Sequence, residues 1–274
     1  MTESTKKRIT RFHSNHGGNI ILYDDNTVAY RKASFSNALV FSEAPLQPGE
    51  VFLLEIEKDE RGWSGHMKLG LSLLDPERID RAHMSNCDTA LVHVMHRANS
   101  WIFAMTEHPN LWDSYGTLVE GTEHGESETA HNREPRLQSD GMNVHTSRGA
   151  IPFNALRPNI IGNGENILAT DIGSRIGVMY VPQTGSDKAE LHFIINGEDQ
   201  GVFARDIPYK GRSLRAVVDV YGTTKQVRII QLYSASMTLQ SACRETILQC
   251  TKRTSVDSLP LPKMLKRYLL YQSP

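Results

Sequence analysis

The 274-residue chain is poor in several features that would assign it a class at once. Cysteine is scarce. Cys87, Cys243 and Cys250 are an odd set without the spacing of a metal knuckle, which argues against a disulfide framework or a zinc module and fits a reducing compartment, so a cytoplasmic protein is expected. Charge of either sign in excess is also missing. Thirty Lys and Arg face 31 Asp and Glu, leaving a net charge of −1, without the basic field that displaces counterions from nucleic acid or draws a protein to anionic lipid. No apolar run is long enough to span a bilayer, and the polar, basic stretch from Met1 to Arg11 has no apolar segment behind it, so neither a membrane helix nor a signal peptide is expected. What is present is 39% hydrophobic and 22% charged, the balance of a globular chain long enough to bury a core.

From residue 9 to about 233 the chain reads as β-structure. Short apolar runs recur between turn signals: Ile20 to Tyr23 before Asp24-Asp25-Asn26, Val51 to Ile56 after Pro48-Gly49, then Ile176 to Val181, Leu191 to Ile195, Leu214 to Tyr221 and Gln226 to Tyr233. Met67 to Leu73 alternates apolar with small or polar residues, the period of a half-buried strand. Asn196-Gly197 accepts the positive φ of a type I′ turn and marks a hairpin. Many short strands at close spacing predict a mainly β fold, a two-sheet antiparallel sandwich. Gly121 to Gly149, rich in Glu, His, Ser, Asn and Arg, buries too little to offset its ordering entropy and is expected to be a long exposed loop.

The character changes after Tyr233. Leu239, Cys243 and Ile247, four apart, share one helix face, with Thr238 as a candidate N-cap. Leu259-Pro260-Leu261-Pro262 is a stiff segment leading into a second helical pattern, Met264, Leu265, Tyr268 and Leu269, with Pro262 suited to its first turn. A tail of this size is too small for a self-sufficient core, so its apolar face needs cover from a partner or from the β domain.

No catalytic constellation emerges. His13 and His16 lack companion ligands and read as part of a polar turn; His124, His131 and His145 lie in the polar loop. The carboxylate pairs Asp24-Asp25 and Asp59-Glu60 sit at turns, no glycine-rich phosphate loop or nucleophile elbow occurs, and Cys243 lies on the apolar stripe of the tail. No enzyme, metal or cofactor is expected. Hydrolysis by the histidines is the remote alternative.

Two family resemblances stand out. Arg11-Phe12-His13, His16-Gly17-Gly18-Asn19-Ile20, Ala29-Tyr30-Arg31 leading to Ser34-Phe35, Leu39-Val40-Phe41-Ser42, and the run from Trp63 to Leu71 resemble the opening of a neuralized homology repeat; Leu191 to Gly201 and Ala216 to Gly222 resemble its second half. The tail resembles a SOCS box. Its BC-box is matched by Thr238, Leu239, Cys243 and Ile247, and its cullin box by Leu259, Pro260, Leu261 and Pro262.

The resemblance implies a SPRY-like sandwich over 9–233 and a SOCS box over 234–274. Loops of the sandwich would hold a protein substrate, with Tyr30, Arg31, Phe35 and Trp63 as candidate contacts. The tail would bind elongin C, with elongin B joining through it, and a cullin of the fifth type with its RING-box protein. Without the Cys/His series of a RING finger, the chain would act as the non-catalytic substrate receptor of a ubiquitin ligase. The alternative is a non-degradative protein- or lipid-binding scaffold, of which the lipid form is disfavoured by the charge balance.

Overall fold

Phe52, Leu54 and Ile56 alternate with Leu53, Glu55 and Glu57 along one strand, and that alternation sorts the architecture: the first set enters the central core, while Leu53 joins a second cluster on the opposite face. The computed structural model describes residues 9–34, 37–79, 100–106, 137–158, 167–233, 243, 247, 251 and 253–270. The chain divides into two units. The larger holds Ile9–Pro158 and Ile167–Tyr233; the smaller includes Ser234–Pro274.

The larger unit contains the strands β1 (Ile20–Tyr23), β2 (Val28–Arg31), β3 (Leu39–Phe41), β4 (Phe52–Asp59), β5 (Lys68–Ser72), β6 (Ser100–Ala104), β7 (Gln138–Ser139), β8 (Asn143–Thr146), β9 (Gly149–Pro152), β10 (Arg175–Pro182), β11 (Lys188–Ile195), β12 (Glu198–Pro208), β13 (Arg215–Asp219) and β14 (Thr224–Ile229). They form a seven-stranded sheet in the order β1-β2-β14-β4-β10-β11-β12 and a four-stranded sheet in the order β3-β13-β5-β6, every pairing antiparallel. The two sheets close over one core. Ala29, Phe52, Leu54, Ile56, Val178, Leu191, Phe193 and Val227 come from the first; Val40, Leu69, Leu71, Phe103, Ala216 and Val218 come from the second. The fold is therefore the antiparallel β-sandwich that the strand spacing predicts.

The turns follow the sequence closely. Asp24, Asp25 and Asn26 all adopt positive φ between β1 and β2, a conformation that short polar side chains tolerate. Asn196 (φ 52°) and Gly197 (φ 91°) join Ile195 to its partner Glu198 in a two-residue hairpin.

Two expectations need correction. β5 is not half-buried: Lys68, Gly70 and Ser72, on the face away from Leu69 and Leu71, are buried as well. Leu39, Phe41, Ile102 and Val217, with Leu74 and Ile79 packed against them, make an apolar cluster on that side of the four-stranded sheet. The polar stretch is not a loop throughout either. β7 and β8 lie within it and pair with β9, which runs on from the stretch's last residue to Pro152, as a three-stranded sheet. Val144 and Ile151, directly paired, are buried with Leu53, Met179 and Ile194 of the large sheet. Two apolar side chains in a polar run are too weak a periodic signal to reveal a strand pair, yet enough to seat it. Residues 121–136 of that stretch lie outside the described residues.

In the smaller unit, Cys243 and Ile247 are helical, residues Arg253–Ser258 form a 3-10 helix, and α1 spans Lys263–Leu270. Val256 and Leu269 are buried against each other, with Ile247, Leu259, Leu261 and Leu270 packed around them. Pro262 precedes α1 rather than opening it: its carbonyl accepts from Lys266 N at 3.1 Å, the position of an N-cap. The stripe expected on this helix is split. Leu269 is buried, whereas Met264 and Leu265 are exposed.

Candidate functional site

The sequence nominated Tyr30, Arg31, Phe35 and Trp63 as a partner-binding set. Three of the four are described, and they sit at one end of the sandwich, around the ends of β2 and β4; Phe35 lies outside the described residues. Antiparallel pairing explains the convergence. β2 and β4 both run beside β14, so Tyr30 and Lys58 each stand opposite Gln226 and the loop after β4 meets the start of β14.

Arg31 organises this end from within. Its side chain is fully buried. Nη2 donates to the carbonyls of Gly222 (2.5 Å) and Thr224 (3.2 Å), and Nη1 donates to Ser34 O (2.9 Å). The guanidinium also lies 3.4 Å from Glu60 and 6.0 Å from the centroid of the Trp63 ring. Arg31 therefore cannot be a direct contact as expected. Its Nη1 and Nη2 donors are engaged by the backbone of two loops, which they fix, while the buried Nε has no hydrogen-bond partner among the described residues.

Trp63 stands above Arg31 and is 38% exposed. Its Nε1 donates to Glu60 at 3.0 Å, and Glu60 in turn holds Lys225 at 2.8 Å. Tyr30 is half-buried, with the ammonium groups of Lys58 and Lys225 each 5.6 Å from its ring centroid. The aromatic pair is thus carried on charged side chains.

The loop bearing Trp63 is held by close backbone packing. Thr223 N donates to Gly65 O (2.9 Å) and Glu60 N to Thr223 O (2.7 Å), while Thr223 Oγ1 meets His66 Nδ1 at 2.8 Å. A Cβ on Gly222, where φ is 62°, would lie 2.2 Å from Gly65 O, so glycine is required there. Beneath, Lys68 pairs with buried Asp219 at 3.6 Å and stacks 4.2 Å from the Tyr221 ring; burial pushes the Asp219 carboxyl up, against the pull of Lys68. The sequence pattern places Glu60 at a turn without a role and gives no sign of Lys68, Asp219 and Tyr221 as members of this site. Gly65 and Gly222 were the available signals, but nothing in one sequence shows that two glycines touch.

His13 and His16 are held by local hydrogen bonds. His13 is buried, its Nδ1 accepting from Asn15 N at 3.0 Å, and His16 Nδ1 meets Gly17 O at 3.0 Å. A histidine that was not singled out, His192, is fully buried with Nδ1 3.1 Å from Asp199; Asp199 also accepts from Leu137 N (3.0 Å), which ties the start of β7 to the β11–β12 hairpin.

In the tail, Cys243 is exposed, whereas Ile247 packs on the Val256–Leu269 pair. The expected stripe thus has one member facing solvent and one bracing the unit. Thr238 and Leu239 lie outside the described residues. Leu259 and Leu261 are half-buried in the same cluster, while Pro260 and Pro262 are exposed. No helix among the described residues is long and apolar enough to cross a membrane.

Comparison with known proteins divides the chain at a similar place. The neuralized family model matches residues 12–231, and the SOCS box model matches residues 236–270. The chain is 37% identical over 275 aligned positions to neuralized-like protein 2 of Homo sapiens, covering 96% of this chain and 92% of that protein. A shorter match, 36% over 69 residues, is to the E3 ubiquitin-protein ligase NEURL3 of Mus musculus, covering 25% of this chain and 27% of that one. Among solved structures, the Drosophila melanogaster neuralized-nhr1 domain aligns with a TM-score of 0.49 and 18% identity, covering 81% of this chain and 98% of that one. Neuralized relatives and a SOCS box together support a substrate-recognition role in ubiquitin ligation.

Proposed function

The chain belongs to the neuralized family and carries a SOCS box behind its neuralized domain, and from that premise we propose that it is the non-catalytic substrate receptor of an elongin B/C–cullin ubiquitin ligase. The observation that carries this reading is the order of the two modules in one chain, 12–231 followed at once by 236–270. The sandwich holds a protein target through the loops around Trp63 and Tyr30, with Arg31 as the positioning residue beneath them and Phe35 as a further candidate contact. The tail docks elongin C through Thr238, Leu239, Cys243 and Ile247. Leu259, Pro260, Leu261 and Pro262 engage the fifth-type cullin and its RING-box protein. Tethering raises the effective concentration of target lysines near the charged conjugating enzyme, so no side chain of this chain takes part in bond formation.

The deciding experiment is co-purification of elongins B and C with the full chain, with Leu239→Ala alongside. Removing the anchor should weaken capture by at least about 1–2 kcal/mol, roughly a factor of ten. Equal recovery of elongins with both proteins would defeat the proposal. A target whose half-life is indifferent to deletion of 234–274 would favour the scaffold reading instead.

A further inference from the structure

A substrate receptor depends on the point at which its chain leaves the sandwich, and here that point is clamped. Tyr233 is the last residue of the larger unit, and the SOCS box match begins at residue 236. Tyr233 is 8% exposed and packs with Val51, Leu53, Val144, Ile151 and Met179, on the face of the large sheet away from the central core. Its hydroxyl accepts from Val51 N at 2.8 Å. Ile230 N donates to Leu53 O at 2.9 Å, and the Gln231 side chain exchanges two hydrogen bonds with the backbone of Thr10, at 2.7 and 2.8 Å. The final residues of the sandwich, Ile230 to Tyr233, are therefore seated along their length.

One side chain closes the seat. Arg148, in the turn between β8 and β9, places its guanidinium carbon 4.4 Å from the Tyr233 ring centroid, and its Nη1 donates to Glu50 at 2.5 Å. Glu50 is buried, and its other oxygen accepts from Gln47 N at 2.8 Å, so the pair is anchored to the chain just before β4. The turn itself is set by Thr146, whose hydroxyl donates to Gly149 O (2.7 Å) and accepts from Arg148 N (3.3 Å). Arg148 thus joins three segments that are distant in sequence. Tyr233 and its apolar neighbours form a cluster separate from the central core, so opening this contact loosens the exit and the β7–β9 sheet without opening the sandwich. Freeing Ile230 to Tyr233 would lengthen the joint before the SOCS box from two residues to six, and a longer tether lowers the effective concentration of what it carries.

We infer that Arg148 is a positioning residue for ubiquitin transfer: by capping the Tyr233 ring and holding Glu50, it fixes the point on the sandwich from which the tail departs. The clamp stands on the geometry alone; its use in transfer rests on the receptor reading.

Amide hydrogen exchange on the full chain tests the clamp. In Arg148→Met, exchange at Val51 and Ile230 should quicken about tenfold or more, the effect of losing one charge-assisted hydrogen bond, while Ile229 and the other amides of β14 keep the parent's protection. Arg148→Lys, which keeps a cation for Glu50 and the ring, should fall between the two. Transfer is read on the sandwich's own exposed lysines, Lys32, Lys188 and Lys210, in the complex reconstituted with elongins B and C, the fifth-type cullin and its RING-box protein. Arg148→Met should slow it about fivefold, the −3/2 power of a joint three times as long, with elongin capture unchanged. Inserting Gly-Ser-Gly-Ser after Tyr233 lengthens the joint equally with the clamp intact, and should slow transfer as much without altering exchange at Val51. Unchanged exchange in Arg148→Met, loss of protection throughout β14, or transfer indifferent to the insertion would each overturn the inference. Elongin B/C co-purification, measured on the same preparations, tests the receptor reading alone, and the exchange result decides the clamp either way.

Discussion

Arg31 and Trp63 form a stacked pair, the guanidinium carbon 6.0 Å from the ring centroid, in which the cation is fully buried and the aromatic is open to solvent. The two residues divide one task. Arg31 links the β2–β3 loop to the β13–β14 loop, and Trp63 offers the surface so fixed. Replacing them should therefore have opposite signatures. Arg31→Met leaves the Gly222 and Thr224 carbonyls without a donor and Glu60 with one cation fewer, and should cost about 3–5 kcal/mol of stability by chemical denaturation. Trp63→Ala should cost less than about 1 kcal/mol, the range of an exposed site, and show its effect in target binding. Equal destabilisation by the two would remove the distinction between positioning and contact.

Gly222→Ala should destabilise the sandwich by at least about 2 kcal/mol, because positive φ strain adds to a backbone collision with Gly65 O. Gly62→Ala, also at positive φ but with open space around it, should cost only the φ strain, roughly 1 kcal/mol. Thermal melting of the two variants side by side checks the difference.

Asp59 gives the stability a defined pH dependence. Its native carboxyl, at about 6 against an ordinary 3.8, holds a proton more tightly than the unfolded chain does. The cost of the charge is therefore fully present above about pH 6 and fades as pH falls toward about 4, so this residue makes the protein more stable in that window. Asp59→Asn should raise the urea midpoint at pH 7 by an amount worth no more than about 1 kcal/mol, since the group is partly screened by solvent, and the gain should vanish near pH 4. A constant offset between variant and parent at all pH values would contradict the assignment.

Leu269→Ala should open the C-terminal unit, because Leu269 and Val256 are its fully buried pair and truncating a buried leucine costs about 2–5 kcal/mol. Met264→Ser, at an exposed position on the same helix, should leave it intact. Amide hydrogen exchange over residues 253–270 distinguishes the outcomes, with loss of protection expected for the first variant alone.

The β-sandwich was legible because its signals are local. Alternation in Phe52 to Glu57, the polar αL turn at Asp24 to Asn26 and the Asn196-Gly197 hairpin each lie within a few consecutive residues. The β7–β9 sheet was not, because only Val144 and Ile151 in its strands are buried and their shelter comes from Leu53, Met179 and Ile194, far away in sequence. The same limit applied to the site. Tyr30 and Trp63 could be nominated as aromatics, a residue type that dominates interfaces, within the family resemblance, but the burial of Arg31 is set by carbonyls about 190 residues on, and proximity in space is invisible to periodicity.

The order of the strands has a consequence for biogenesis. β13 and β14, the last strands of the sandwich to leave the ribosome, both take interior places, β13 between β3 and β5, and β14 between β2 and β4. Until residue 229 has emerged, each sheet is split into pieces with unsatisfied edges, so the domain must wait for nearly all of its own synthesis before it can close. A nascent chain arrested or truncated before Arg215 would present four strand edges that the finished sandwich covers, a species suited to chaperones or aggregation rather than to a working half-domain.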